Sequence, residues 1–249
     1  MEKITSVSNN LVKETAKLKQ KKYRDESGKF LLEGFKSIHE AFLYGVEIDY
    51  VFVNEYKLEE YNFLKEKLIS VNDAVLKKIS TTETPPDAVG VGVQKLCKIP
   101  DVKNRQKVLL LENIKDAGNL GTILRTSAAL GVELVVLFGD CVDLYNPKVV
   151  RSAAGCLWKL PVVNLKKTDE LTKYFDNYTK IATLPRTDNM LKTFETKVPF
   201  LVMFGSEANG LSDELIKFSN KSVKIEMKDN VESLNLSVSC AIVLYKLLI

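Results

Sequence analysis

An α/β fold in two parts is predicted by three observations: a change in hydrophobic pattern near residue 100, strongly apolar strand runs beyond it, and glycine-containing segments where those runs end. The runs are V-L-L-L at 108–111, L-V-V-L-F at 134–138 and F-L-V-M-F at 200–204. Strands this apolar suit a parallel sheet covered on both faces. The glycine-containing segments fall where α/β proteins place ligands.

The first part is a small α/β domain over residues 1–96. Six basic residues stand between Lys13 and Arg24 (Lys13, Lys17, Lys19, Lys21, Lys22, Arg24) against one acid, Glu14, in a predicted N-terminal helix. Such a cluster neutralises phosphates, and it equally suits a solvated helix face. Phe35, Ile38, Ala41 and Phe42 recur at helical spacing with Gly45 as a stop, so a helix ends near Tyr44. Asp49 to Asn54 reads as a strand, Glu59 to Leu68 as a helix, and Ala88 to Val93 as a β-branched strand with interleaved glycines. Residues 97–106 are polar, contain Pro100 and break the periodicity, which marks a linker. The second domain then covers 107–249.

Composition bounds the function. The chain has 249 residues, is 45% hydrophobic and carries a formal charge of +4. No run of about 18 apolar residues appears, and the residues after Met1 lack the apolar stretch of a signal peptide, so the expectation is a cytoplasmic protein away from membranes. The four cysteines, Cys97, Cys141, Cys156 and Cys240, lie far apart, and His39 is the single histidine. No metal site is expected, and the cysteines read as buried free thiols.

Three segments concentrate polar groups. Between Leu109 and Gly131 a strand ends at Glu112 and Asn113, Gly118 and Gly121 suit a tight turn, and Ile123, Leu124, Ala128 and Leu130 begin a helical face that also carries Arg125. Between Phe200 and Leu215 a strand ends at Phe204, Gly205 allows close backbone approach, and Ser212 with Asp213 and Glu214 suits a helix start. Between Val223 and Lys246, Ser233 and Asn235 stand before a closing helix whose buried stripe is expected to be Val238, Ala241, Ile242 and Tyr245. Asn146-Pro147 reads as a further helix start, placing Lys148 and Arg151 to meet a phosphate or to form a surface ion pair.

These segments resemble the SpoU/TrmH family of the SPOUT superfamily, in Asn119-x-Gly121-x-x-x-Arg125, in Phe204-Gly205-x-Glu207-x-x-Gly210-Leu211 and in Ser233-Leu234-Asn235-x-Ser237-Val238. The likeness extends to Asn146–Val162 and to Phe30–Ala41, which is similar to the L30e-like RNA-binding domain of rRNA-modifying members. Departures fall at Ala117, where many members have proline, and at Glu226 and Asp229, where proline and glycine are common.

The resemblance implies a parallel-sheet SPOUT domain closed by a trefoil knot, with S-adenosyl-L-methionine against Thr183, Leu184, Gly205, Ile225 and Leu234. It implies catalytic roles for Arg125, Asn119, Glu207, Ser233 and Asn235, with Arg125 at the reacting centre. The implied reaction is methyl transfer to a ribose 2′-hydroxyl of RNA, 23S rRNA in the first place, by a homodimer. Alternatives are a tRNA 2′-O-methyltransferase and a non-catalytic RNA-binding protein with a decayed transferase domain. A phosphate-loop or dinucleotide enzyme is disfavoured because no G-x-x-x-x-G-K-[ST] occurs and Gly90-Val91-Gly92 lacks a third glycine and a following helix.

Overall fold

The computed structural model describes residues 2–95, 97–98, 104–228 and 233–249. Pro100, part of the expected linker, and Asp229 lie outside the described residues. By its contacts the chain forms two compact units, one of residues up to Lys95 together with Asp143–Trp158, the other of Leu96–Val142 with Lys159–Ile249.

The elements of the first part run β1 (Glu2–Ile4), α1 (Asn10–Lys17), α2 (Lys21–Ser27), β2 (Lys29–Glu33), α3 (Phe35–Leu43), β3 (Ile48–Asn54), β4 (Leu68–Val71), α4 (Asp73–Ile79) and β5 (Ala88–Val93). They form a five-stranded mixed sheet in the order β1-β4-β3-β5-β2. Ile4, Val12, Leu31, Phe52, Val71 and Leu76 share one buried cluster on it.

The basic N-terminal segment is two helices rather than one, because Leu18 caps α1 and the chain restarts at Lys21. Arg24 does not face solvent. It is 1% exposed, donates to Asp143 Oδ2 at 2.8 and 2.6 Å, and also donates to the carbonyls of Leu18 and Lys19. Burial of a guanidinium requires such full pairing, so Arg24 is withdrawn from the phosphate-binding cluster and five lysines remain.

The helix expected from Glu59 to Leu68 is a 3-10 segment over Leu58–Lys67, with non-helical angles at Tyr61 and Leu64. Those are its two buried residues, and a spacing of three matches the 3-10 repeat better than the α repeat.

The second part contains β6 (Lys107–Glu112), α5 (Ala117–Leu130), β7 (Leu134–Phe138), then α6 (Pro147–Ser152), which belongs to the first unit, followed by β8 (Val162–Leu165), α7 (Thr168–Phe175), β9 (Thr179–Thr183), β10 (Phe200–Phe204), α8 (Asp213–Phe218), β11 (Lys221–Val223) and α9 (Leu236–Leu248). Its six strands are ordered β11-β9-β10-β6-β7-β8, and every pairing is parallel. All five residues of β7 and of β10 are buried, as expected for strands covered on both faces. The chain leaves β6 toward β7 and β8, then returns on the other side through β9 and β10, so strand order reverses between β6 and β10. In an open parallel sheet the crevice at the carboxyl end of such a reversal is where ligands bind.

Two local expectations change here. Gly118 and Gly121 lie inside α5, because Asp116 caps the helix by accepting from Asn119 N at 2.7 Å and helix geometry starts at Ala117. On α9 the buried residues are Leu236, Cys240, Val243 and Leu244, whereas Val238 is 46% exposed, Ile242 39% and Tyr245 61%. The helix is apolar on two faces, the buried one is the other, and α9 packs against α5.

Candidate active site

Glu112 ends β6 and Asn113 follows it, Gly205 follows β10, and Thr183 ends β9. Because these strands are parallel neighbours in one register, Glu112, Gly205, Thr183 and the residues after β11 all come to one edge of the sheet.

The segment after β10 folds back on itself. Ser206 and Gly210 form an isolated bridge, with Gly210 N donating to Ser206 O at 2.9 Å. A Cβ at Gly205 falls 1.8 Å from the carbonyl carbon of Gly210 and 2.1 Å from Leu211 N, so only glycine fits. The far end of the loop is tied to β6, where the buried carboxylate of Glu112 accepts from Ser212 N at 2.8 Å. Ser212 then caps α8, as its sequence context suggests.

Across this loop three predicted residues meet. Asn119 Nδ2 donates to Glu207 Oε1 at 2.6 Å, and Asn235 Nδ2 donates to Asn119 Oδ1 at 3.0 Å. Asn235 is also the cap of α9: its Oδ1 accepts from Ser237 N at 2.9 Å, Ser237 Oγ at 2.6 Å and Val238 N at 3.4 Å. Each of the three sequence motifs therefore contributes one member to a single hydrogen-bonded chain. Glu207 is bonded to Asn119 rather than to Arg125. Arg125 is exposed on α5, farther along the helix than Asn119, and Ser233 is exposed two residues before the α9 cap.

The residues expected around a cofactor lie along the same edge. Thr183 Oγ1 donates to Met203 O at 2.8 Å, and Leu184 N donates to Val223 O at 3.0 Å, which ties the ends of β9, β10 and β11 together. Leu184, Ile225 and Leu234 are half-buried. Beyond β11, Lys224 bridges to Met190, and Glu226 accepts from Lys192 N at 3.4 Å. Ala117 is the first residue of α5, a position that proline also tolerates, and the Asp116 cap is intact with alanine there.

In the first unit Arg151 donates to Glu33 Oε2 at 2.5 Å and to Thr81 Oγ1. Of the two roles open to it, the ion pair is the one formed. Cys97, Cys141 and Cys156 are half-buried free thiols and only Cys240 is buried, which corrects the expectation of four buried ones. Among the described residues no group of three or more His, Cys, Asp or Glu side chains is arranged to hold a metal ion, and no helix is long and apolar enough to cross a membrane.

Sequence reasoning missed Asp116 and Glu112. The first carried a signal, a cap-forming aspartate three residues before Asn119. The second, a carboxylate ending an apolar strand, carried none that named its partner.

A parallel sheet whose polar loops meet beside a strand-order reversal has the architecture of an α/β ligand-binding protein. The chain belongs to the SpoU rRNA Methylase family, whose model matches residues 106–245, and an MRM3-like substrate binding domain is matched over residues 9–90. It is 35% identical to an uncharacterized tRNA/rRNA methyltransferase of Synechocystis, over 98% of this chain and 92% of that protein. It is 28% identical to the 23S rRNA (guanosine-2′-O)-methyltransferase RlmP of Bacillus subtilis, over 99% of both. Among solved structures, an AdoMet-bound rRNA methyltransferase from Sinorhizobium meliloti superposes with a TM-score of 0.89 at 26% identity, covering 98% of this chain and 96% of that one.

Proposed function

We propose that this protein transfers a methyl group from S-adenosyl-L-methionine to a ribose 2′-hydroxyl of 23S rRNA. The observation that carries the reading is the Asn235–Asn119–Glu207 chain, which joins the three motifs at the carboxyl edge of the sheet. A decayed transferase domain has no reason to keep such a chain complete. The full-length similarity to a 23S rRNA enzyme, together with the matched substrate binding domain, favours rRNA over tRNA.

The residues present fit the cofactor. Leu184, Ile225 and Leu234 offer half-buried apolar side chains for an adenine ring, and the loop that Gly205 begins leaves the carboxyl end of β10 at the same edge. Thr183 and Leu184 form one wall, Gly205, Ile225 and Leu234 the other, and a trefoil knot of these loops is part of the proposal. When bound, the cofactor supplies the electrophilic methyl group.

A ribose hydroxyl is a weak nucleophile, so the chain must orient it and stabilise its developing charge. Arg125, always protonated and able to donate a planar pair of hydrogen bonds, holds the adjacent phosphate and stabilises the developing alkoxide. Asn119, Glu207, Ser233 and Asn235 form the polar wall.

The domain over 1–96 binds RNA through Lys13, Lys17, Lys19, Lys21 and Lys22, the linker spans 97–106, and 107–249 performs the chemistry. The exposed face of α9 is the contact between two copies in a homodimer, which also lets Arg125 of one copy serve the other. The protein acts in the cytoplasm, with its rRNA. Calorimetric titration with S-adenosylmethionine, NAD and ATP tests the reading: binding of the first alone supports it, and binding of either of the others without the first contradicts it.

A further inference from the structure

The hydrogen-bonded chain has a direction, and the α9 cap sets it. Asn235 Oδ1 is committed to Ser237 N, Ser237 Oγ and Val238 N. A backbone N–H can only donate, so this atom must be the amide oxygen, and the amide nitrogen must face Asn119. Asn119 then presents its oxygen to Asn235 and its nitrogen to Glu207, as found. The last link therefore ends on an acceptor, Glu207 Oε1. Glu207 is exposed, and Oε2 has no hydrogen-bond partner among the described residues.

We infer that Asn235 and Asn119 are positioning residues that orient the Glu207 carboxyl group through Oε1, and that Glu207 Oε2 takes the proton of the ribose hydroxyl. This rests on the methyltransferase reading. As the proton passes to Oε2, the ribose oxygen forms a bond to the methyl carbon and the carbon–sulfur pair returns to sulfur. Sulfonium and carboxylate charges are both lost, a neutral thioether and a carboxylic acid result, and the acid later releases its proton to water. The guanidinium of Arg125 is already fully protonated and cannot accept it. Two neighbouring carboxylates have their own tasks: Asp116 caps α5 and Glu112 accepts from Ser212 N.

The test uses the full chain with 23S rRNA as probe and follows kcat, KM, calorimetric affinity for S-adenosylmethionine and the thermal midpoint. Glu207→Gln keeps an oxygen for Asn119 and loses the base. It should keep midpoint and cofactor affinity while kcat falls about a hundredfold or more, the range of a positioned base. Asn235→Asp caps α9 equally well but has no donor for Asn119. It should keep the midpoint and lose kcat at least tenfold, whereas a purely capping Asn235 would leave kcat unchanged. Asn119→Asp combined with Glu207→Gln rebuilds the connections with the charge moved one place, since a carboxylate in place of the Asn119 amide accepts from both sides. That double variant should keep the midpoint and stay inactive.

Near-wild-type kcat in Glu207→Gln, in Asn235→Asp or in the double variant would overturn the inference while leaving the methyltransferase reading intact. A wild type that binds no S-adenosylmethionine would overturn both.

Discussion

The Cβ of any side chain at Gly205 lies 1.8 Å from the carbonyl carbon of Gly210, and both partners are backbone at this contact. No rotamer relieves it, so Gly205→Ala must displace the 205–212 loop from the carboxyl end of β10. The expected cost is about 1–3 kcal/mol in urea unfolding, the range for overpacked sites. Calorimetry should show cofactor affinity reduced at least tenfold. Unaltered unfolding and affinity would mean that the loop does not need its close approach.

Glu33 makes stability depend on acid. Burial pushes its carboxyl up, but hydrogen bonds from Thr81 N and Oγ1, Ser80 Oγ and Arg151 outweigh that and hold it below the ordinary value of 4.5. A depressed folded value contributes stability that is complete above about 4.5 and disappears as pH falls through the folded value. Glu33→Gln should lower stability at neutral pH by about 1–3 kcal/mol. It should also flatten the decline below pH 4.5. Parallel wild-type and variant curves in acid unfolding would contradict the assignment.

The exposed apolar face of α9, with Val238, Ile242, Tyr245 and Ile249, calls for a cover. If the proposed dimer forms, the wild type should sediment as a dimer at micromolar concentration, and Ile242→Glu with Tyr245→Glu should give a folded monomer in sedimentation velocity. A wild-type monomer would leave that face to another use.

The role proposed for Arg125 predicts that binding and chemistry separate there. Arg125→Ala leaves Gly205, Ile225 and Leu234 untouched, so calorimetric affinity for S-adenosylmethionine should hardly change. The single-turnover rate with saturating RNA should fall by about a hundredfold, by analogy with loss of one preorganised oxyanion donor. Arg125→Lys should rescue poorly, because an ammonium lacks the planar fork. Near-wild-type turnover in the folded alanine variant would remove Arg125 from the mechanism.

What the sequence revealed follows from which interactions are local. The apolar run Phe200–Phe204 coincides with β10 because a doubly covered strand needs no alternation, and Asn146 and Ser212 cap the helices their neighbours suggest. The packed face of α9 is not legible in the sequence, since Val238–Ile242–Tyr245 and Leu236–Cys240–Val243 satisfy helical spacing equally and only tertiary packing decides between them. Arg24 read as surface charge because its partner, Asp143, lies 119 positions away. The same holds at the site. The motifs named Asn119, Glu207 and Asn235 separately, but that the cap of α9 orients a chain ending on Glu207 is a relation between segments up to 116 residues apart.

The most direct test supplies purified protein with methyl-labelled S-adenosylmethionine and unmodified total RNA, then maps the label by resistance to alkaline cleavage, which a 2′-O-methyl group confers by removing the attacking hydroxyl. The proposed function predicts label in 23S rRNA, at a ribose, appearing about a hundredfold more slowly when Arg125→Ala protein replaces the wild type. Label on a base, label confined to tRNA, or no transfer at saturating cofactor would contradict it.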